Sequence, residues 1–588
     1  MHYRNATCVL SACALGFPLI GGSAFAASPS CASLASLTLP STTITVAEKI
    51  TSGSFTPPGS TTPITGLPPF CRVAGDATPT TESHIGFEVW IPLSNWNGKY
   101  MQVGNGGYAG SIPYTSLAYG LPLGYAVAGT NDGHTGSGLD ASWALGHPQL
   151  IVDFGYRALK ATADDAKAII TAFTSAAPSR SYFNGCSDGG REALMEAERY
   201  PDDFDGILAG SPANFWTHLF VGFVWDQQAL EEKAASYIPA SSLPILSNAA
   251  LKQCVGKDGG VSTDAFLNDP RQCNFNPAKV ACKNGQSSGC FTPTQVTAAQ
   301  KVYQGPLNPI NGAQIYPGYS PTEGTESNPA DWPAWITGTS PGTGAQEIFG
   351  DQFFTNMVFD NPNFNYETLN FTTDVAIADR KMAPILNSTN PDLSRFHAHG
   401  GKLLQYVGWS DDAISPYNDL NYFNSVVLTM SGSDHFNAVA SAGGGMAPDA
   451  LASVQGFYRL FIAPGMAHCA GGPGANFFGN IAAGPGGPVD AAHDLFTALD
   501  QWVGTGAAPN KVIATKYTND DPTQPVLFQR PLCVYPKISH YNGGDANSAS
   551  SFSCVPDAAD YANDVHRATR YLTEYGDVLY NPPSPPAN

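Results

Sequence analysis

The chain has 588 residues, 43% of them hydrophobic and only 13% charged, with a formal net charge of −20. That length exceeds one ordinary domain and allows a large core with an insertion. So acidic a surface repels phosphate backbones and anionic lipid heads, which argues against nucleic-acid and membrane-surface partners.

The N-terminus has the form of an export signal. Arg4 precedes a mostly apolar stretch over 6–20, and Ala24-Phe25-Ala26 is a small-x-small cleavage site, so residues 1–26 are expected to be removed. No later segment is apolar for long enough to span a bilayer. Of 12 cysteines, Cys8 and Cys13 leave with the signal. An even number remains, which in an oxidising compartment predicts disulfides. No C-x-x-C pair favours zinc. The chain is therefore expected to be secreted or periplasmic.

To about Pro69 the mature chain is rich in Ser, Thr and Pro and reads as loops and edge strands. Strands are predicted over 88–92, 100–103 and 125–130, a helix over 156–174, a strand over 181–184, a helix over 191–200 and a strand over 206–210. Strands alternating with helices predict a mostly parallel sheet covered on both faces. The rhythm breaks after about Pro212 and resumes with strands over 402–408 and 459–463. Residues 213–390 are accordingly expected to form a domain inserted into an α/β core built from 27–212 and 391–588. The tail after about Pro556 is expected to carry one peripheral helix and a disordered end.

Gly185-Cys186-Ser187-Asp188-Gly189 lies between a predicted strand and a predicted helix. A serine hydroxyl needs a base to become nucleophilic. The G-x-S-x-G turn presents it, with small neighbours that let the backbone bend and a helix N-terminus beside the developing oxyanion. The base and its orienting acid belong after later strands. Asp411 follows one in Gly408-Trp409-Ser410-Asp411, and His468 another in Gly465-Met466-Ala467-His468-Cys469; Asp412 is the neighbouring alternative acid. His134, His397, His399 and His435 sit in polar loops and read as structural or solvated. Cys186 precedes the serine and Cys469 follows the histidine. A bond between them would hold nucleophile and base together; each pairing elsewhere is the alternative.

These three motifs, in this order, resemble the tannase and feruloyl esterase family, which includes the mono(2-hydroxyethyl) terephthalate hydrolases. The resemblance runs from about Cys71 to about Cys554. It implies an α/β-hydrolase fold with a large inserted lid, Ser187 as nucleophile, His468 as base and then acid, and Asp411 orienting His468. It implies an oxyanion hole from the amides of Gly106 and Asp188, with Gly104 and Gly107 as neighbours of Gly106, and Ile414 facing the acyl pocket. It also implies the disulfides Cys31–Cys71, Cys186–Cys469, Cys254–Cys273, Cys282–Cys290 and Cys533–Cys554. No cofactor is required for the chemistry. The family's lid holds a calcium ion, whose ligands here would be Asp258, Gly260, Asp264 and Phe266, with Val255 standing where a first acidic ligand is expected.

Aromatic lid residues, namely Phe215, Trp216, Phe220, Phe223, Trp225, Trp332, Trp335, Phe353 and Phe354, supply lid core and a surface for an aromatic acyl group. The terephthalate hydrolases set an arginine against their substrate's carboxylate, and Ala345-Gln346-Glu347 stands there instead. The expected reaction is hydrolysis of a small aromatic ester of the feruloyl or tannin type. A terephthalate monoester hydrolase is the alternative within enzymes. A catalytically silent secreted binding protein is the alternative outside them, disfavoured because binding needs no Ser, Asp and His in this order.

Overall fold

The computed structural model describes residues 30–319, 324–432 and 448–580. The signal segment, His435 and the Pro-rich end lie outside them. Nine strands form the central sheet: β1 (Thr42–Ile50), β2 (Phe70–Ala77), β3 (Ile85–Pro92), β4 (Lys99–Val103), β5 (Ala126–Thr130), β6 (Arg180–Cys186), β7 (Gly206–Gly210), β8 (Lys402–Gly408) and β9 (Tyr458–Ala463). Their order is β1-β2-β3-β5-β4-β6-β7-β8-β9. Pairing is antiparallel among β1, β2, β3 and β5, and parallel from β5 through β9.

The parallel strands are apolar along their length because both faces are covered. Leu403, Val407, Ile207 and Ala209 enter a core on one face, and Leu404, Tyr406 and Leu208 a second core on the other. The period-2 alternation of the strand thus builds both layers at once. The predicted strands fall where expected, each within a few residues. The nucleophile-side helix starts earlier than predicted, at Asp188, and runs to Arg199.

β7 and β8 are neighbours in the sheet, yet residues 211–401 lie between them. This insertion is helical, led by Trp216–Glu231, and contains a small core of its own around Leu243, Leu246, Phe291, Val302 and Trp332. With a nucleophile turn after β6 and acidic and histidine loops after β8 and β9, the molecule has the α/β-hydrolase fold. All five disulfides implied by the resemblance are formed.

Two hairpins complete the C-terminal region: β10 (Lys511–Tyr517) with β11 (Val526–Cys533), and β12 (Lys537–Tyr541) with β13 (Phe552–Pro556). The final helix, Ala558–Leu579, is not peripheral as expected. It packs on the helix Pro416–Met430, burying Val565, Ala568 and Leu572 in the main core. Its Asp564 accepts from Arg271 and from the Tyr535 hydroxyl. Its apolar face was hidden among many charges, so the periodic signal was weak.

Candidate active site

β6 ends at Cys186 and the next helix begins at Asp188, so Ser187 alone makes the turn. It does so at φ 68° and ψ −121°, a conformation that costs a non-glycine residue about 1–3 kcal/mol. The surroundings hold it there. Its N–H donates to the Gly210 carbonyl at 3.0 Å, and its carbonyl accepts from Gly190, Arg191 and Ala213 at 3.0, 3.1 and 3.0 Å. The flanking glycines are required by contact. A Cβ on Gly185 would lie 2.4 Å from the Gly189 carbonyl oxygen, and one on Gly189 2.9 Å from that of Asn105.

The His468 ring presents Nδ1 to Asp411, 2.9 Å from Oδ2 and 3.0 Å from Oδ1. Asp411 is fully buried, and its Oδ1 also accepts the amides of Ala413 at 3.0 Å and Ile414 at 2.8 Å. Two fixed backbone donors thus orient the carboxylate that orients the imidazole. Asp411, rather than Asp412, is the residue against His468. The Cys186–Cys469 bond brings the two Cα atoms to 6.0 Å, so the serine turn and the histidine loop are covalently adjacent. Trp335 of the insertion stands edge-on to the imidazole, ring centroids 5.0 Å apart.

A cavity opens at Ser187 and Asp188, with Gly107 on its rim. Its walls are Ala213, Trp216, Leu219, Phe220, Phe223, Trp335, Phe349, Ala413 and Ile414. Ile414 therefore lies where the acyl pocket was expected. The implied oxyanion donors, the amides of Gly106 and Asp188, flank this opening, and among the described residues neither amide, nor that of Gly107, has a backbone acceptor. Tyr108, next in the chain, donates its hydroxyl to the Phe349 carbonyl at 2.7 Å and stacks on Phe220, tying this loop to the insertion.

Behind the serine turn lie three buried carboxyls, Asp132, Asp188 and Glu192, close enough to share a cation. Arg191 supplies one: it donates to Asp188 at 2.5 Å and lies over the rings of Phe154 and Trp216. Glu192 accepts the Asn105 amide at 3.1 Å, and Asp132 the Asn105 side chain at 2.9 Å. Burial pushes Asp132 up to about 7 and, with Asp132 beside it, Glu192 well above the carboxylate range. The pair therefore retains a proton while holding the loop that carries Gly106. Sequence reading treated Asp132 as architectural and missed Asn105 and Glu192; the Gly190-Arg191-Glu192 continuation of the motif was the available signal.

The candidate calcium ligands are already engaged. Asp258 Oδ2 accepts the Asn268 amide at 2.6 Å and its Oδ1 the Gly260 amide at 3.2 Å. Asp264 Oδ1 accepts from Arg530 at 2.9 Å. Burial raises the Asp264 carboxyl and lowers the Arg530 guanidinium, and each is pulled back by the other. A calcium ion needs six to eight oxygens without a competing cation on its carboxylates. This donor set does not fit one. The other acidic cluster among the described residues, Asp269, Asp557 and Asp560, likewise holds an arginine, Arg271, 2.6 Å from Asp269.

The remaining predicted residues take structural places. His134 is buried, bonds the Tyr108 carbonyl at 2.7 Å and stacks on Trp143, and burial lowers it to about 4. His397 stacks on Phe457, and His399 ends the same short helix. Of the aromatics, Trp216, Phe220, Phe223 and Trp335 line the cavity, whereas Phe215, Trp332, Phe353 and Phe354 are buried core. Trp225 donates to the Lys301 carbonyl, away from the cavity. Gln346 is buried and donates to the Tyr319 hydroxyl and the Asp412 carbonyl.

A family model described as tannase and feruloyl esterase matches residues 71–555. An uncharacterized esterase of Xanthomonas campestris pv. campestris is 43% identical over 540 residues, 90% of this chain and 92% of that protein. A probable feruloyl esterase B-2 of Neosartorya fischeri is 31% identical over 489 residues, 82% of this chain and 86% of that protein. Among solved structures, feruloyl esterase B from Aspergillus oryzae superposes with a TM-score of 0.79 at 29% identity, covering 89% of this chain and 99% of that one. The tannin acyl hydrolase from Aspergillus niger shares the fold, with a TM-score of 0.70 at 21% identity over 92% and 98% of the two chains.

Proposed function

The chain belongs to the tannase and feruloyl esterase family and is a carboxylic ester hydrolase, and we propose that it is an exported serine esterase that cleaves aromatic-acid esters through an acyl-enzyme on Ser187. One observation carries this reading: the disulfide between Cys186 and Cys469 sets Ser187 beside a histidine whose Nδ1 is held by the buried Asp411. Asp411 keeps the proton on Nδ1, which leaves Nε2 free to take the Ser187 proton as Oγ attacks the ester carbonyl. The oxyanion falls to the amides of Asp188 and Gly106, at the start of a helix. His468 then returns the proton to the departing alcohol, and water clears the acyl group by the same route. The residues between β7 and β8 act as a lid, since Trp216, Phe220, Phe223, Trp335 and Phe349 all come from there. Five disulfides support assembly in an oxidising compartment.

The cavity walls favour a neutral acyl group. Among the described residues they are carbon apart from indole N–H groups and the polar atoms near Ser187. Each buried hydroxyl left without a partner costs about 1–3 kcal/mol, and a carboxylate costs more. Gln346 and Glu347, at the place of the terephthalate-binding cation, are committed to Tyr319 and Tyr366. A methoxylated cinnamoyl group is thus preferred over a galloyl group or a terephthalate monoester.

The test is kcat/KM on methyl ferulate, methyl gallate and mono(2-hydroxyethyl) terephthalate, for the wild type and Ser187→Ala. Ferulate is expected to lead, and the variant to lose about 10⁴-fold or more in kcat. Gallate or the terephthalate ester leading would overturn the acyl preference; an active variant would overturn the nucleophile.

A further inference from the structure

The loop between Cys254 and Cys273 is the part of the insertion that grips the catalytic body. The Gly259 carbonyl accepts the Tyr541 amide at 2.8 Å, and Asn268 donates to the Ser539 carbonyl at 2.8 Å. Phe266 lies against Gly465, where a Cβ would sit 2.4 Å from its ring and where φ is +66°. Gly465 is on the loop that carries His468, so the Cys254–Cys273 loop is a support for the catalytic histidine's backbone.

What closes the loop is a protein cation. Arg530, on β11, is 5% exposed at its side chain and meets Asp264 at 2.9 Å. It also donates to the carbonyls of Gln529 at 3.1 Å and Ala546 at 2.7 Å, and its guanidinium lies between the rings of Phe528 and Phe552, 4.5 and 4.6 Å away. A guanidinium so flanked is rigid, is always charged and needs no solvent to satisfy it. Asp258 is meanwhile satisfied by backbone amides. The loop has one carboxylate to neutralise, and the neutralising charge is in place.

We propose that Arg530 is the built-in cation of this loop and does, without a metal, the work that a bound calcium ion would do in joining the insertion to the histidine side of the active site. The fold is then insensitive to chelators. This inference goes beyond the acyl preference and does not depend on it.

Three measurements test it on the full mature protein. Metal analysis of the purified wild type is expected to find substoichiometric calcium. Thermal unfolding is expected to give the same Tm in excess EDTA and in millimolar calcium chloride. Arg530→Gln is expected to lower Tm by several degrees, with Arg530→Lys keeping part of the loss at bay. Stoichiometric calcium in the wild type, or a Tm that EDTA lowers, overturns the proposal. So does an Arg530→Gln variant with the wild-type Tm. If Arg530→Gln fails to fold, the wild-type metal content, its EDTA response and the Arg530→Lys variant still decide.

Discussion

Asp411→Asn tests the orientation of the catalytic histidine with the least change in shape. Oδ1 of Asp411 accepts the amides of Ala413 and Ile414 at 3.0 and 2.8 Å. An asparagine must therefore keep its oxygen there. The opposite rotamer would set its NH₂ against both amides and leave two buried donors unpaired, at about 1–3 kcal/mol each. The carboxamide nitrogen then occupies the place of Oδ2, 2.9 Å from His468 Nδ1 in the wild type. An N–H pointing at Nδ1 favours the tautomer protonated on Nε2, which cannot take a proton from Ser187. The expected loss in kcat is about 10⁴-fold, or about 5.4 kcal/mol of transition-state stabilisation, as in other serine triads. Initial rates on methyl ferulate measure it, with KM and Tm recorded alongside and expected to move little. A variant that retains more than a tenth of the wild-type kcat would refute the account of how Asp411 acts.

Two further predictions concern stability. Replacing Cys186 and Cys469 together by Ala opens a link between residues 283 apart in sequence, worth on the order of 5 kcal/mol in the chain-entropy picture. We expect a lower Tm and a larger fall in kcat than replacing Cys282 and Cys290, whose separation is only 8; equal effects from the two pairs would count against the first as an active-site brace. The buried carboxyls set the pH dependence. Asp132 is raised from 3.8 to about 7, and Glu192, Glu196 and Asp419 are raised too, chiefly by burial. Between an unfolded value near 3.8 and about 7, the native state binds more protons at Asp132 than the unfolded chain. Its stabilising share is therefore complete on the acid side and is lost as pH rises, at about 1.4 kcal/mol per pH unit. Melting curves across this range should show Tm falling with pH, with a shallower slope for Asp132→Asn; a Tm that climbs toward neutral pH would contradict the reading.

Much of this site was legible in the sequence because its parts are local. A strand, a tight turn and a helix are contiguous around Ser187, and Asp411 and His468 each follow a strand closely. The rest depends on residues far apart. Arg530 and Asp264 are 266 positions apart, and Tyr108 reaches Phe349 across 241; no periodicity or spacing rule links such pairs. The four C-terminal strands escaped notice because they form short hairpins with mixed exposure rather than continuous apolar runs. Trp335 was recognised only as one of many aromatics, since nothing in its neighbours distinguishes a ring beside the imidazole from one in the core.

The link between Cys186 and Cys469 also changes what kind of object the molecule is. It encloses the entire insertion, with β7 and β8, in a covalent ring whose neck is the active site. A protease that cuts an exposed turn of the insertion therefore separates nothing: both ends stay attached at the serine and the histidine. In a surrounding rich in proteases, nicked molecules keep their reacting groups in register as long as the core holds. The same ring dictates assembly order, because the neck can close only after the chain through Cys469 has been delivered. The active site is thus among the last parts of the molecule to be joined, and the hydrolase is completed only where oxidation is available.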